Sequence, residues 1–399
     1  MYRLELKRIL KTRSTVILAV IAMFFSIFLA LLNIFDNYYY TSIGSGVTMR
    51  GLAAIEYKRT LATACEGEWT PERIRDAFAE VAHVRAHRDT ATEAEKQRIE
   101  PYIHTFISRI PQVYGVADSS TISPEEASDY YCQRKAYIEE ATVLSYGPAA
   151  AETALKLDDG TTEPFQYEFG FGTGSDAASS LPVCLFAVAV VCSVICAPVF
   201  ASDYSSGADD IQRCALYGRK RLGGTRVLAA LTLSAALYAA CAAAFVAITL
   251  AVFGPDGTSA QLALDALVLG NLTMNGVLLL ALVAGLLSVL AMTAFTLWLS
   301  AHMRRPVAVL AVSLAVAMSP TFLMVLLRGM PLGDWLRLLL PSGGLGLGTG
   351  MIVDIQAGKF LTLGPVAVWT PFAALAIPLL EAPLFSLLAL YSYTRHEGR

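Results

Sequence analysis

The sequence predicts an all-α polytopic membrane protein, with six transmembrane helices and a large, mainly helical domain inserted between the first two. Three observations carry this prediction. Of the 399 residues, 55% are hydrophobic and only 16% are charged, a balance typical of membrane proteins. Six long apolar runs divide the chain. A polar stretch of 145 residues separates the first run from the second, which is too long for a simple loop.

Each apolar run is long enough to form one membrane span, since a helix needs about 17–25 residues to cross the hydrocarbon. The runs cover residues 15–35, 182–200, 227–253, 277–300, 307–327 and about 368–391. The first is longer than the apolar core of about 7–15 residues in a cleaved signal peptide. We therefore interpret residues 1–35 as an amphipathic helix with a retained first span, and residues 181–399 as a five-span membrane domain.

The distribution of lysine and arginine predicts the orientation, because positive loops tend to stay in the cytoplasm. Fourteen such residues lie on the side of the two termini. They are Arg3, Lys7, Arg8, Lys11, Arg13, Arg213, Arg219, Lys220, Arg221, Arg226, Arg304, Arg305, Arg395 and Arg399. The opposite loops of the membrane domain carry only Arg328, Arg337 and Lys359. We expect a multi-pass protein of the plasma membrane with both termini in the cytoplasm.

This orientation places residues 36–180 outside the cell as an extracellular domain. The domain has 23 acidic and 13 basic residues, a net charge of −10. "PERIRDAFAEVAHVRAHR" predicts a helix after Thr70, because its apolar residues recur every three or four positions, and "SPEE" at 123–126 predicts a second start. Aromatic and polar residues alternate between glycines at 157–176, which indicates a short hairpin or loop.

Cysteine placement predicts one disulfide. Of the seven cysteines, only Cys65 and Cys132 fall in the extracellular domain. Because that compartment is oxidising, we expect them to pair, and two free thiols are the alternative.

Motifs for catalysis, metal binding or nucleotide binding are missing from the sequence. It has no G-x-x-x-x-G-K-[ST] phosphate loop and no H-E-x-x-H. His83 and His87 lie four residues apart without a third ligand nearby, which is more typical of a solvated helix face than of a metal site. "SGGLGLGTG" at 342–350 indicates a break in a helix, and we expect a re-entrant region at about 335–365 on the outer side.

The polar segment "DYSSGADDIQRCALYGRKR", residues 203–221, lies between the second and third spans. It begins with the carboxylate of Asp203, followed by Gly207, and continues with an apolar stripe that includes Ile211 and Leu216. It ends with the basic residues Arg219, Lys220 and Arg221. Ser205 or Ser206 can begin a short helix there, and Gly218 can end it.

This order of features resembles the "E…G…(P/S)-R…K" loop of type-2 ABC exporter permeases, the membrane subunits that work with a separate ATPase. The basic start "MYRLELKRILKTRST", the six spans and "LRLLLPSGG" at 336–344 extend the resemblance. Asp203 stands where glutamate is usual, and Arg226 where lysine often begins the third span. Both departures keep the sign of the charge.

The resemblance implies a transport subunit without catalytic activity of its own, which moves a peptide, drug or lipid-like substrate outward. ATP and Mg²⁺ would bind a partner ABC ATPase, and a second permease subunit would complete the path across the bilayer; no nucleic acid is implied. Residues 201–226 would be the coupling loop, with Asp203, Gly207, Ile211, Leu216, Arg219, Lys220 and Arg221 contacting the ATPase. The alternative for this loop is a helix lying on lipid headgroups, and the alternative function is a membrane sensor whose outer domain binds a ligand.

Glu381 lies near the middle of the sixth run, between Pro378 and Pro383. A charged carboxylate at the bilayer centre costs about 2.5–3.5 kcal/mol or more, so it should face protein or water. We interpret Glu381 as a residue of the gate or substrate path, together with Pro378 and Pro320. A neutral acid bonded to a backbone carbonyl is the alternative.

Overall fold

A computed structural model describes residues 1–40, 48–170, 177–208, 211–212, 220–254, 266–327, 330–346 and 349–395. The fold is mostly helical, and it confirms six helices that are long and apolar enough to cross a membrane. These spans one to six are Arg13–Phe35, Ser180–Ser206, Lys220–Phe253, Met274–His302, Pro306–Leu326 and Thr370–Arg395. Span two consists of the helices Ala177–Cys196 and Pro198–Ser206, which meet at Ala197, because Pro198 has no N–H for the helical ladder.

Consecutive spans run in opposite directions, which gives the bundle two faces. At one face, called the insert face, Ser180 at the start of span two donates to Asn33 at the end of span one (2.7 Å). At the other, called the terminal face, the rings of Phe200 and Tyr393 bring the ends of spans two and six together, with centroids 5.0 Å apart. The N-terminal helix Tyr2–Lys11 also lies at the terminal face.

Span four lies at the centre of the bundle, since it packs against spans two, three, five and six. Small residues allow this close packing. A Cβ at Gly285 would lie 2.6 Å from the Tyr238 hydroxyl of span three, and that hydroxyl donates to the Leu282 carbonyl at 2.6 Å. Spans one, five and six have the smallest shares of residues buried within the chain, so their outward apolar side chains are available to lipid.

The chain between spans one and two, called the insert domain, has its own hydrophobic core around Trp69, Phe106, Tyr130 and Phe165. Its α-helices are Leu52–Thr63, Pro71–Ala86, Glu93–Tyr102, Pro124–Ser128, Tyr130–Tyr146 and Pro148–Asp158. A π-helical turn, Ile103–Ile107, follows the third of these, and two 3-10 turns, Pro111–Tyr114 and Ser119–Thr121, come next. The short strands Tyr38–Tyr40 and Thr48–Arg50 pair antiparallel.

Helix starts in the insert domain follow the sequence. Thr70 accepts from the backbone N–H of Arg73 at 3.3 Å and begins the predicted helix Pro71–Ala86. Ser123 and Glu126 form a capping box that begins Pro124–Ser128, with each side chain satisfying a backbone N–H of the other residue. Both predicted helix starts are therefore confirmed.

Two predictions for the insert domain differ from the structure. Gln166–Tyr167, in the segment predicted to form a short hairpin or a loop, is a strand that pairs with the distant strand Gly67–Glu68. The predicted disulfide is absent, because Cys65 and Cys132 are both free. Cys65 is fully buried in the core below Trp69, whereas Cys132 on the first turn of Tyr130–Tyr146 is exposed. Cys65 lies in the turn after the helix Leu52–Thr63 and Cys132 lies in a helix, and their side chains are in different environments.

The region between spans five and six folds back against the bundle. It contains the helices Pro331–Leu338 and Met351–Gln356, the paired strands Leu345–Gly346 and Thr349–Gly350, and the hairpin Phe360–Leu363 with Val366–Trp369. Ser342 donates to the Val316 carbonyl of span five at 3.1 Å, and a Cβ at Gly344 would lie 2.5 Å from the Ser288 hydroxyl of span four. The glycine therefore allows this predicted helix break to approach span four.

The insert domain is tied to the spans by polar contacts. Arg134 and Asp158 form a buried ion pair with Nη2 and Oδ1 2.7 Å apart, and Arg134 also donates to the Val268 carbonyl before span four (2.9 Å). Arg59 donates to the Val252 carbonyl of span three at 2.7 Å. These contacts reach the end of span three and the residues before span four. They therefore fix the position of the insert domain on the insert face.

Candidate functional site

The polar segment after span two begins with a helix end. Pro198–Ser206 stops at Gly207, which adopts the left-handed conformation (φ +71°) and donates its N–H to the Asp203 carbonyl. A residue with a Cβ would be strained in this conformation. Ser205 and Ser206 lie in the last turn of this helix, with their hydroxyls bonded to the Ser202 carbonyl, so the prediction that one of them begins a helix is wrong.

A charge cluster around the buried Arg226 lies beside this helix end. Arg226, near the start of span three, is only 1% exposed at its side chain, and its Nη2 lies 2.6 Å from Oδ2 of Asp203. Its Nε lies 3.4 Å from Oε2 of Glu5 in the N-terminal helix. Arg8 pairs with both carboxylates, at 3.1 Å from Glu5 and 3.4 Å from Asp203. We call Glu5, Arg8, Asp203 and Arg226 the Arg226 cluster; its formal charges cancel.

Further contacts hold the Arg226 guanidinium in place. Its Nη2 donates to Oε1 of Gln212 at 2.7 Å, and its Cζ lies 5.7 Å from the Phe200 ring centroid and 5.9 Å from that of Tyr393. A cation this close to ring faces gains electrostatic attraction. The cluster therefore joins the N-terminal helix, span two, the polar segment, span three and span six.

Close packing also holds together the helices around the Arg226 cluster. A Cβ at Gly223 would lie 2.7 Å from Cδ1 of Tyr393, so spans three and six approach there only because residue 223 is glycine. The Tyr2 hydroxyl lies 2.8 Å from the Thr232 hydroxyl and ties the N-terminal helix to span three. These contacts hold the N-terminal helix, span three and span six together beside the Arg226 cluster.

The polar segment also has side chains that are exposed to solvent. Ile211 and Gln212 are helical, and Ile211 is 79% exposed while Gln212 faces Arg226. Lys220 and Arg221 are exposed at the start of span three. The structure thus brings Asp203 into the cluster and places Ile211 on the surface. The predicted coupling residues Leu216 and Arg219, and the predicted helix end at Gly218, lie outside the described residues.

The predicted gate residues form no part of this cluster. Glu381 is twelve positions before Tyr393 in span six, about 18 Å along a helix at 1.5 Å per residue. Its Oε2 is buried and has no hydrogen-bond partner among the described residues. Pro378 and Pro320 are buried in spans six and five. One helical turn after Glu381, Phe385 stacks on Trp298 of span four, with centroids 5.7 Å apart.

Sequence reasoning missed two members of the cluster. Glu5 and Arg8 lie three residues apart in the N-terminal helix, a spacing that places them on one face. The same spacing is common on solvated helices, so it did not identify their distant partners. In the described parts of the chain, no three His, Cys, Asp or Glu side chains are grouped to hold a metal ion.

Two comparisons of the chain with known proteins gave no match. No protein-family model matches the chain, and no curated protein matches it.

Proposed function

We propose that this chain is the permease subunit of an ATP-driven ABC exporter, which moves its substrate outward with energy from a separate ATPase. The observation that carries the proposal is the Asp203–Arg226 ion pair, which closes the base of the polar segment. A segment that transmits force from a partner must be held rigidly where it meets the spans. It must also offer the partner a surface, and the exposed Ile211 is a candidate for that contact.

The cost of breaking the Arg226 ion pairs favours movement of spans two and three as one rigid body. Arg226 is almost fully buried, and Asp203 and Glu5 are 13% exposed. Separating a buried charge from its partner costs about 3–5 kcal/mol, whereas a surface ion pair contributes about 0–1 kcal/mol. A force applied at the segment therefore shifts spans two and three together more readily than it breaks the pair.

The proposal assigns the terminal face to the cytoplasm, because its loops carry most of the lysine and arginine. The ATPase then meets the polar segment and the N-terminal helix, while the insert domain lies outside the cell. A second permease subunit would complete the path, and the exposed apolar sides of spans one and five offer surface for it or for lipid. Glu381 would belong to the gate.

Isolation of the complex tests the proposal. The tagged chain is purified from its native membrane in a mild detergent, and its partners are identified by mass spectrometry. We expect an ABC ATPase at a fixed ratio to the chain, with ATP turnover in the purified complex. A stable complex with a signalling kinase and without an ATPase would instead identify the chain as a sensor, and the exporter proposal would fail.

A further inference from the structure

The insert domain contains a cavity that the exporter proposal does not use. Its volume is about 190 Å³, and it lies between the helix Leu52–Thr63 and the π-helical turn Ile103–Ile107. The strand residue Tyr167 forms part of its wall. His104 at the wall is 42% exposed at its side chain, so the cavity is reachable from solvent.

The wall combines flat apolar surface with donor groups. Tyr39, Tyr167 and Phe169 supply aromatic rings, and Lys58 and Thr105 supply an ammonium and a hydroxyl. The described residues that line the cavity include no Asp or Glu, although the domain as a whole carries a net charge of −10. Lys58 is therefore the one described lining residue with a formal charge when His104 is neutral, and its ammonium favours an anion over a cation in the cavity.

The buried carboxylate of Glu100 lies behind the wall and holds the side chains of Tyr39 and His104 in place. Glu100 is 1% exposed, and its Oε2 accepts from the Tyr39 hydroxyl at 2.7 Å and lies 3.0 Å from Nε2 of His104. These contacts orient the phenol and the imidazole. Tyr39 follows the end of span one, and the Lys58 ammonium bonds to Oδ1 of Asn37 beside it at 2.8 Å. The cavity wall is thus continuous with the end of a span.

The backbone at the cavity is irregular. The helix Glu93–Tyr102 contains Pro101 and widens into the π-helical turn that presents His104 and Thr105 to the cavity. Proline removes a backbone donor and strains the ladder, and π-helical turns are rare and occur frequently at functional sites. This turn gives the polar side chains their positions on the wall.

We propose that this cavity is a binding site for a small aromatic carboxylate. An apolar cavity of about 150 Å³ holds a benzene ring, so a volume of about 190 Å³ has room for a ring and a carboxylate. The ring lies among Tyr39, Tyr167 and Phe169, and the carboxylate accepts from the Lys58 ammonium. Charge-assisted hydrogen bonds of this kind are stronger than neutral ones. The site is independent of the exporter proposal.

Titration of the purified full-length chain with benzoate tests the site, with binding measured by calorimetry. We expect saturable binding with one benzoate per chain. Benzyl alcohol and benzylamine, which carry the same ring without a carboxylate, should bind at least about tenfold more weakly, because neither supplies an anion for Lys58. Absence of benzoate binding, or equal binding of the three probes, would overturn the proposal.

Substitutions at the cavity test whether benzoate binds there. Lys58→Met should weaken benzoate binding at least about tenfold, and Leu61→Trp should weaken it by filling the cavity while keeping the ammonium. The matched control is Lys156→Met, whose ammonium lies on an exposed helix face beside Glu152. Each variant is first compared with the parent chain by its unfolding temperature. Unchanged binding in a folded Lys58→Met or Leu61→Trp chain would place the ligand elsewhere and contradict the proposal.

Discussion

Arg226 and Asp203 form an ion pair, with Nη2 of the guanidinium 2.6 Å from Oδ2 of the carboxylate. The two residues stand where span three begins and span two ends, so their ion pair holds both ends of the segment together. Glu5 and Arg8 attach the N-terminal helix to the same pair. The segment therefore has a rigid base, while Ile211 lies exposed beyond it.

Removal of the central cation should destabilise the terminal face. We expect Arg226→Gln to lower the free energy of unfolding by about 3 kcal/mol, the lower end for a broken buried ion pair, because Glu5 and Asp203 lose their buried partner but keep Arg8. The measurement is the free energy of unfolding from denaturant titration of the detergent-solubilised chain. The control Lys220→Gln, at an exposed position at the start of the same span, should change stability by about 0.5 kcal/mol or less. Equal losses from both variants would show that the cluster adds little.

The Arg134–Asp158 pair should behave as a coupled unit. Arg134→Met or Asp158→Leu alone should cost about 3–5 kcal/mol, since each leaves a buried charge unpaired, whereas the double variant should recover much of that loss. A double-mutant cycle on the unfolding free energy measures the coupling. Additive losses would mean that the two charges do not depend on each other within the insert domain.

The two cysteines of the insert domain should differ in reactivity. Burial raises the pKa of the Cys65 thiol to about 11, and Cys132 is exposed. In the folded chain without reductant, a maleimide should therefore label Cys132 and leave Cys65 unlabelled, and both should react after unfolding. Peptide mass spectrometry reads the result. A peptide pair linked through Cys65 and Cys132 would restore the disulfide that the sequence predicted.

The same thiol predicts a change of stability with pH. Its pKa is higher in the folded chain than the value of about 8.5 expected when unfolded. Folding is therefore favoured fully below that unfolded value, and this contribution is lost as the pH rises towards about 11. Cys65→Ala should reduce the loss of unfolding temperature over this alkaline range relative to the parent chain. An identical slope in both chains would rule out a contribution from the thiol.

Glu381 has a different expected role. Its Oε2 is buried without a hydrogen-bond partner in the described part of the chain, so Glu381→Gln removes a costly ionisable group and should keep the unfolding temperature. If its ionisation gates transport, the variant should flatten the pH dependence of ATP turnover in the reconstituted complex. Glu139→Gln, at an exposed site of the insert domain, is the control. An unaltered pH profile in Glu381→Gln would exclude ionisation there from the cycle.

The local features of the fold could be predicted from the sequence. Apolar run length predicts the six spans because the hydrocarbon sets a minimum helix length. Thr70 and Ser123 predict helix starts because each cap acts within three residues. In each case the physical cause lies within a short stretch of chain.

Features that depend on distant partners could not be predicted in the same way. The strand at Gln166–Tyr167 pairs with Gly67–Glu68 rather than with its neighbours, and Cys65 packs against the core instead of reaching Cys132. In the candidate site, Asp203 and Arg226 could be recognised as charges at the ends of spans. Their contacts with Glu5 and Arg8 depend on how the N-terminal helix docks, which no local pattern specifies.

The most direct test of the exporter account is co-purification of the ATPase with the Ile211→Asp variant at matched expression. The variant places a charge in the proposed apolar contact, where burial without a partner costs several kcal/mol. Since each 1.4 kcal/mol is about tenfold in affinity, the ATPase should be lost from the complex while the chain stays folded in the membrane. Leu144→Asp, at an 87% exposed leucine of the insert domain, is the matched control and should retain the ATPase. Full recovery of the ATPase with Ile211→Asp would contradict the claim that this segment couples the chain to its motor.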